Sequence, residues 1–302
     1  MNDFILGILL QGFIFSIMVM GVYITFRLLN FADMSVDGTF TLGASVSAIL
    51  ITKGCNPFVA LLFSVIAGSL AGTLTGILNV KLKIKDLLSG ILVMLALYSI
   101  NLRIMGRANL PMFNNETIFP DSSLVNSLFI ALILALICAV IFIIFFKTKR
   151  GYLLKATGSN EGMVISLGLN TGTIKILGLA LSNGLVALSG SVFAQYQGYS
   201  DINMGTGTMV IGLASIIMAH SILKNIKQIK PSFLCIIGAV LYRASISLSL
   251  KIGFNPSDLK LVSCIIVILA LFLGGKESSF KLKNFQLTKE KRQAGDLSAR
   301  AN

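Results

Sequence analysis

The sequence predicts an all-α polytopic membrane protein with about nine transmembrane helices. Of its 302 residues, 55% are hydrophobic and only 12% are charged. A soluble domain carries about 25% charged residues, and here the deficit is concentrated in long apolar runs. Because a helix needs roughly 17–25 apolar residues to cross a bilayer, these runs are read as membrane spans. A buried soluble core could account for one such run, but not for eight or nine.

Nine spans follow from these runs, and the second, seventh and ninth of them are short. The predicted spans are Phe4–Phe26, Val36–Ile51, Phe58–Val80, Leu88–Met105, Leu128–Phe146, Ile176–Tyr196, Thr208–Leu223, Phe233–Leu250 and Leu261–Leu273. Together they form a membrane domain over residues 1–275, which contains a long polar loop over residues 147–175. A basic tail over residues 276–302 follows.

Lysine and arginine are distributed unevenly between the two sides of the predicted membrane domain. Nineteen of the 25 lie in the tail or in one set of alternate connections; the opposite side has five, and Arg243 lies inside a span. Short cytoplasmic loops carry an excess of lysine and arginine. We therefore expect the N-terminus outside and the tail in the cytoplasm. The net charge of +13 then reflects membrane orientation and not nucleic-acid binding.

The residue types that support catalysis or cofactor binding are scarce. The four cysteines lie in or beside apolar runs without paired metal-ligand spacing, and there is one histidine. No G-x-x-x-x-G-K-[ST] phosphate loop occurs, so ATP would have to be bound by another chain. We expect no catalytic residue, no metal and no cofactor.

Two stretches of the chain resemble each other. Residues 33–45 and 201–215 both begin with an acid, pass through Gly-Thr and enter a short glycine-bearing apolar run. On the predicted topology they enter the membrane from opposite sides, as in an inverted-topology repeat whose broken helices line a substrate path. Chance similarity between glycine-rich membrane segments is the alternative.

The loop over residues 147–175 is predicted to contain a short helix. Ser159 or Asn160 can cap it, and Glu161 would lie in its first turn, at the positive end of the helix dipole. We expect an apolar face and a left-handed glycine at the C-terminal end. The candidate coupling residues are Gly158, Ser159, Asn160, Glu161, Met163, Val164, Leu167 and Gly168. A helix of about two turns is unstable alone in water, so it packs either on its own spans or on a partner.

The run from this loop into the sixth span resembles permeases of the branched-chain amino acid and ribose importer family. The matching positions are Ala156, Gly158, Asn160, Gly168, Ser182, Gly184, Ala187 and Gly190, with a second match over residues 27–44 that is interrupted by the acidic segment 33–37. The resemblance implies the permease subunit of an ATP-binding-cassette importer in a bacterial inner membrane. It also implies a cytoplasmic ATPase, an extracytoplasmic solute-binding protein and a permease homodimer within the lipid bilayer.

Several polar or small residues inside spans are candidates for the translocation path. They are Gln11, Gly38, Gly43, Asn183 and Arg243. For Arg243 the alternative is snorkelling toward the outer interface; for Gln11 and Asn183 it is hydrogen bonding to a neighbouring helix. We expect Asp33 and Asp37 to form a solvated helix start.

The main alternative to an importer permease is an ion-coupled secondary transporter. Such carriers place carboxylates at the middle of the membrane, and the sequence places none clearly there. The solute class, an amino acid, rests on the resemblance alone.

Overall fold

Ten α-helices and a two-stranded β-ladder make up the described part of the chain. The structure is a computed structural model, and it describes residues 2–113, 115–119, 124–223, 230–253, 258, 261–266 and 268. The helices are α1 (Asn2–Val22), α2 (Ser35–Thr52), α3 (Pro57–Val80), α4 (Asp86–Met105), α5 (Leu124–Phe146), α6 (Lys149–Ser159), α7 (Glu161–Ser166), α8 (Thr171–Gln197), α9 (Thr208–Ile222) and α10 (Pro231–Ile252). The strands are β1 (Asn109–Pro111) and β2 (Tyr199–Asp201).

The membrane character predicted from the apolar runs is confirmed, but the count of nine spans is not. Seven of the described helices are long and apolar enough to cross a bilayer: α1 with the turn that follows it, α2, α3, α4, α5, α8 and α10. The predicted seventh span is α9, which has only 15 residues. Residues 267 and 269–273 of the predicted ninth span, and the whole tail over residues 276–302, lie outside the described residues.

The two ends of the helix bundle differ in character. At one end, here called the β end, β1 pairs antiparallel with β2 and joins the connections that follow α4 and α8. At the other, called the basic end, lie the turn over residues 81–85 and the segment that contains α6 and α7.

Helix α8 is the centre of the bundle, because α2 and α3 pack closely along it. A Cβ placed on Gly68, Gly72 or Gly43 would meet the backbone of α8. Gly68 and Gly72, four positions apart, thus lie on the face of α3 that packs against α8. Small residues are what allow helix backbones to approach one another within a bilayer.

Two connections run into the bundle from opposite ends and meet inside it. After α1 the chain forms a π-helical turn, Tyr23–Leu28, and Asn30 adopts a left-handed conformation with φ of 54°. The segment over residues 29–34 then reaches Asn183, about 18 Å along α8 from Thr171 at 1.5 Å per residue. From the β end, residues 202–207 descend along α2 until the Gly205 amide donates to Thr41 Oγ1 at 3.1 Å.

Helices α2 and α9 begin at this meeting point and run in opposite directions. Helix α2 ends beside the β-ladder, where Ile51 packs with Leu110 and Met112. Helix α9 runs toward the basic end, with Gly212 against Val22 of α1. The two similar stretches of sequence are therefore in contact, in the geometry that an inverted-topology repeat produces.

The glycine packing between α2 and α8 yields a stability prediction. In Gly43→Ala the new methyl group would overlap the Ala187 carbonyl, and overpacking of this kind costs about 1–3 kcal/mol. We expect a lower melting temperature in detergent, measured by fluorescence-detected size exclusion. Gly7→Ala on α1 is the control, since nothing lies within 4 Å of its added Cβ. Equal melting temperatures for the two variants would contradict the packing role.

Candidate coupling surface and translocation path

A buried carboxylate, Asp33, starts α2 inside the bundle. Its side chain has no exposed surface. One oxygen accepts the Ser35 amide at 2.9 Å and the Ser35 hydroxyl, and the other accepts Asn183 Nδ2 at 2.8 Å. Asp33 therefore caps the N-terminus of α2 and joins it to α8.

Asp37, one turn further along α2, caps α9. Its Oδ2 accepts the Gly207 amide at 2.8 Å, and its Oδ1 accepts the Met209 amide at 2.8 Å and the Thr208 hydroxyl at 3.0 Å. A carboxylate at a helix N-terminus satisfies amides that have no partner within the helix and interacts favourably with the helix dipole. Both carboxylates thus lie where helices begin within the membrane.

The expectation of a solvated helix start for these acids was wrong, and so was the expectation that no carboxylate lies at mid-span. The sequence places both acids at the end of a predicted span, where water would surround them. The chain instead turns inward at the π-helical turn and carries them into the bundle. Their partners, in α8 and α9, lie about 150 and 170 residues away, so no local pattern could reveal them.

Arg243 lies near the middle of α10, roughly 18 Å from Pro231 and 14 Å from Ile252 along the helix axis. Its guanidinium carbon is 3.7 Å from the centroid of the Phe15 ring on α1 and 6.0 Å from that of Phe193 on α8. Its Nε is buried without a hydrogen-bond partner, although the residue as a whole is partly exposed. The side chain therefore lies against α1 and does not snorkel along α10 toward the interface.

The rings beside Arg243 form one aromatic cluster. Phe15, Phe40 and Phe193 come from three helices and are buried, with centroids 4.9–6.0 Å apart. Edge-to-face and offset ring contacts of this kind stabilise a core beyond their area burial. An arginine at the centre of a membrane helix costs about 2.5–3.5 kcal/mol on insertion scales, and its contact with Phe15 offsets part of that cost.

The predicted path residues lie in different parts of the bundle. Gln11 lies one turn before Phe15 on α1, so it shares a helix face with the ring beneath Arg243. Asn183 belongs to the Asp33 cap. Gly38 packs against Leu97 of α4 and Gly43 against Ala187 of α8, so we do not retain these two glycines as path residues.

The predicted short helix of the polar loop is present as α7 at the basic end. Asn160 caps it by accepting the Met163 amide at 3.0 Å, and Glu161 opens its first turn. Gly168 adopts the predicted left-handed conformation, with φ of 75°. Ser159 is not part of the cap: it is the last residue of α6, an 11-residue helix that the sequence analysis did not anticipate.

The single apolar face predicted for α7 was wrong. Val164 is 2% exposed and packs into the bundle, whereas Met163 is 60% and Leu167 64% exposed. Neighbouring helix positions differ by about 100° in direction, so Met163 and Val164 point to different sides. Ile165 is also exposed, at 57%, but two positions along the helix it points away from Met163. Val164 is the buried residue of the segment. Met163 and Leu167, four positions apart, share one side and form an exposed apolar patch, here called the α7 patch (Met163 and Leu167).

Two further contacts connect the α6–α7 segment to the bundle. Lys175 Nζ of α8 donates to Glu161 at 2.8 Å, and this interaction lowers the pKa of the Glu161 carboxyl below its ordinary value. At Gly158, in the last turn of α6, an added Cβ would meet the Leu28 carbonyl at the end of the π-helical turn. The segment therefore contacts the connection that leads to Asp33.

A cavity of about 450 Å³ opens at the β end. Its lining includes Glu116, Tyr196 and Gln197. Tyr196 packs edge-on against Phe119 at 5.7 Å and lies close enough to Arg243 for an electrostatic interaction. The cavity therefore lies next to the aromatic cluster, one turn of α8 beyond Phe193.

Comparison with known proteins identifies the family. Residues 4–272 match the family described as branched-chain amino acid transport system / permease component. The chain belongs to this family. It is accordingly the permease component of an ABC-type transporter, a non-catalytic membrane subunit, and the alternative of an ion-coupled carrier is set aside.

Individual relatives support the same assignment. A tyrosine transport system permease protein of Clostridioides difficile is 46% identical over 283 residues, covering 94% of this chain and 95% of the relative. A nucleoside ABC transporter permease protein of Lactococcus lactis is 24% identical, covering 61% and 65%. Among solved structures, PsaBC from Streptococcus pneumoniae in complex with Fab has a TM-score of 0.55 at 14% identity, covering 91% and 94%; this likeness shows the fold alone.

The Asp37 cap of the permease can be tested by amide exchange. Asp37→Asn removes the charge and replaces one accepting oxygen with a donor, so at least one of three donors loses its partner. We expect the Gly207 and Met209 amides to exchange about tenfold faster or more, because hydrogen bonds to charged groups contribute about 1.5–3 kcal/mol. Hydrogen–deuterium exchange of peptides over residues 202–222 measures this.

Asp201→Asn is the matched control for that experiment. Asp201 is also an aspartate that accepts a backbone amide, that of Asn203 at 2.8 Å, but it does so in an exposed turn. We expect its substitution to leave exchange in α9 unchanged. Similar exchange in both variants would show that Asp37 does not hold the start of α9.

The ion pair between Glu161 and Lys175 yields a pH prediction. Since the pKa of Glu161 is lowered in the folded permease, the pair stabilises the folded state above the ordinary glutamate pKa of about 4.3. This contribution is lost as the pH falls through the lowered pKa. Lys175→Met is expected to bring the pKa of Glu161 back toward the ordinary value, as followed by carboxyl carbon NMR. An unchanged titration curve would contradict the pairing.

Proposed function

We propose that this permease forms the membrane path of an importer that moves an amino acid into a bacterial cell. In this proposal an extracytoplasmic binding protein delivers the solute, and a separate cytoplasmic ATPase supplies the energy through the α6–α7 segment. The permease acts as a homodimer. The basic end faces the cytoplasm, with the N-terminus outside, as the lysine and arginine distribution indicates.

The observation that carries the proposal is the exposed α7 patch on an otherwise capped and anchored helix. Asn160 caps the start of α7, and Gly168 follows its end in a left-handed conformation. The buried Val164 and the ion pair with Lys175 hold the helix against the rest of the protein. These attachments hold the helix in place at the end of the bundle. The exposed apolar side chains of the α7 patch, at an end that faces water, are what a partner surface would cover.

The neighbouring helix α6 adds positive charge to this surface. Its first turn carries Lys149 and Arg150, and an exposed Tyr152 and Lys155 follow. Apolar side chains surrounded by polar and charged ones are the usual composition of a protein interface. The proposed surface spans both helices, and the predicted coupling residues from Gly158 to Gly168 belong to the same segment.

The solute class follows from the relatives and not from any contact in the fold. The relative that is 46% identical over nearly the full length is a tyrosine permease, whereas the nucleoside permease is more distant. An amino acid is therefore the proposed solute.

Intramembrane carboxylates would favour an ion-coupled carrier if they were free to exchange protons or bind cations. Here Asp33 and Asp37 each accept three hydrogen bonds from the protein. Helix capping accounts for both residues without a coupling ion.

Leu167→Glu tests the coupling surface. A carboxylate in the α7 patch would be desolvated against an apolar partner surface, so we expect the ATPase to be lost when the tagged permease is purified from cells that express both. Leu82→Glu is the matched control: Leu82 is 63% exposed at the same end but lies in the turn over residues 81–85. Retention of the ATPase by Leu167→Glu would refute this coupling surface.

A further inference from the structure

We infer that Arg243 binds the carboxylate of the solute within the membrane path. The inference rests on the proposed function and adds a solute class, namely molecules that carry a carboxylate, and the residue that recognises it. It also assigns the surface formed by α1 and α10 around Arg243 to the path.

Arg243 has no counter-charge among the described residues. In the described ranges of the chain no carboxylate forms an ion pair with it, and its Nε has no hydrogen-bond partner. Intramembrane carboxylates are present, but Asp33 and Asp37 are occupied as helix caps. A cation near the middle of the membrane with no protein partner is a site for an anion.

Arg243 is not fully enclosed by the rest of the chain. The residue is partly exposed although its Nε is buried. A charged group that faced acyl chains at this depth would carry a large cost. The open side of the residue is therefore assigned to water or to a second copy of the permease, which is where a path between two copies would lie.

The guanidinium is held in a fixed orientation. Phe15 lies 3.7 Å beneath it and is itself buried in the aromatic cluster. One face of the planar group is covered by this ring, so a carboxylate would approach the edge that carries the two Nη atoms. A guanidinium oriented in this way matches the two oxygens of a carboxylate, which it binds through two parallel hydrogen bonds.

The site is close to an opening at the β end. Tyr196 lines the cavity there and is near enough to Arg243 for an electrostatic interaction. Glu116 is a carboxylate in the lining of that cavity, and it can attract the ammonium group of an amino acid. In this proposal a solute that enters from the β end meets Glu116 before it reaches Arg243.

Equilibrium binding to the permease–ATPase complex in nanodiscs tests the inference without the binding protein. The probe is radiolabelled L-tyrosine, with tyramine, which lacks the carboxylate, and uridine as competitors. We expect Arg243→Gln to weaken tyrosine binding by about tenfold or more, as for loss of a charged hydrogen bond. Inhibition by tyramine should not change, because tyramine does not use Arg243.

Two further variants make the result specific. Arg243→Lys keeps the charge but loses the planar donor edge, so we expect an intermediate loss. Lys251→Gln is the matched control, because Lys251 also lies over a phenylalanine, Phe4 at 5.4 Å, but at the exposed end of α10. It should bind tyrosine like the wild type.

The outcomes separate this inference from the proposed function. If Arg243→Gln retains the ATPase and binds tyrosine like the wild type, the inference is wrong whatever its melting temperature. If Arg243→Gln does not assemble, wild-type affinity in Arg243→Lys refutes bidentate recognition. Binding of uridine but not tyrosine by the wild type, or of neither, also overturns it. Failure of the wild type to assemble with an ATPase would instead overturn the proposed function, and this inference with it.

Discussion

The backbone amides at the starts of α2 and α9 are the constraint on which the arrangement of the bundle depends. Both helices begin inside the membrane, where no bulk water can satisfy their first amides. Asp33 and Asp37 supply the missing acceptors, and each also joins elements far apart in sequence. Burying a carboxylate is costly unless its hydrogen bonds are complete. These hydrogen bonds therefore fix the position at which the two inward-running connections meet.

The Asp33 cap also connects the α6–α7 segment to the interior of the bundle. Gly158 lies against the Leu28 carbonyl, and four residues lie between Leu28 and Asp33. Among them, the left-handed Asn30 follows the π-helical turn and redirects the chain. A displacement of α6 would act on this short connection first, and through Asp33 on α2 and α8. Distortions such as π-helical turns are frequent at functional sites, and here the turn is part of this connection.

Much of this fold could be predicted from the sequence, because apolar length and the residues around Asn160 and Gly168 act locally. Four predicted spans agree to within two residues at each end with α2, α3, α4 and α10. The interior position of Asp33 and Asp37 could not be predicted, since it depends on partners that the chain brings together only on folding. The split of α7 between Val164 and the α7 patch likewise depends on which side of the segment meets the bundle. The spacing of apolar residues alone does not tell which apolar side chains of α7 face the bundle and which face outward.

The aromatic cluster lies between Asp37 and Arg243, so the carboxylate and the guanidinium do not form an ion pair. Asp37 and Phe40 are three residues apart on α2, and the Phe40 ring stacks on Phe15, whose ring in turn contacts Arg243. Asp37 is turned toward the start of α9, where its two oxygens are occupied. If the two charges met, each would satisfy the other, α9 would lose its cap and the arginine would lose its capacity for an anion. Three buried rings between α1, α2 and α8 therefore serve both sites by separating them.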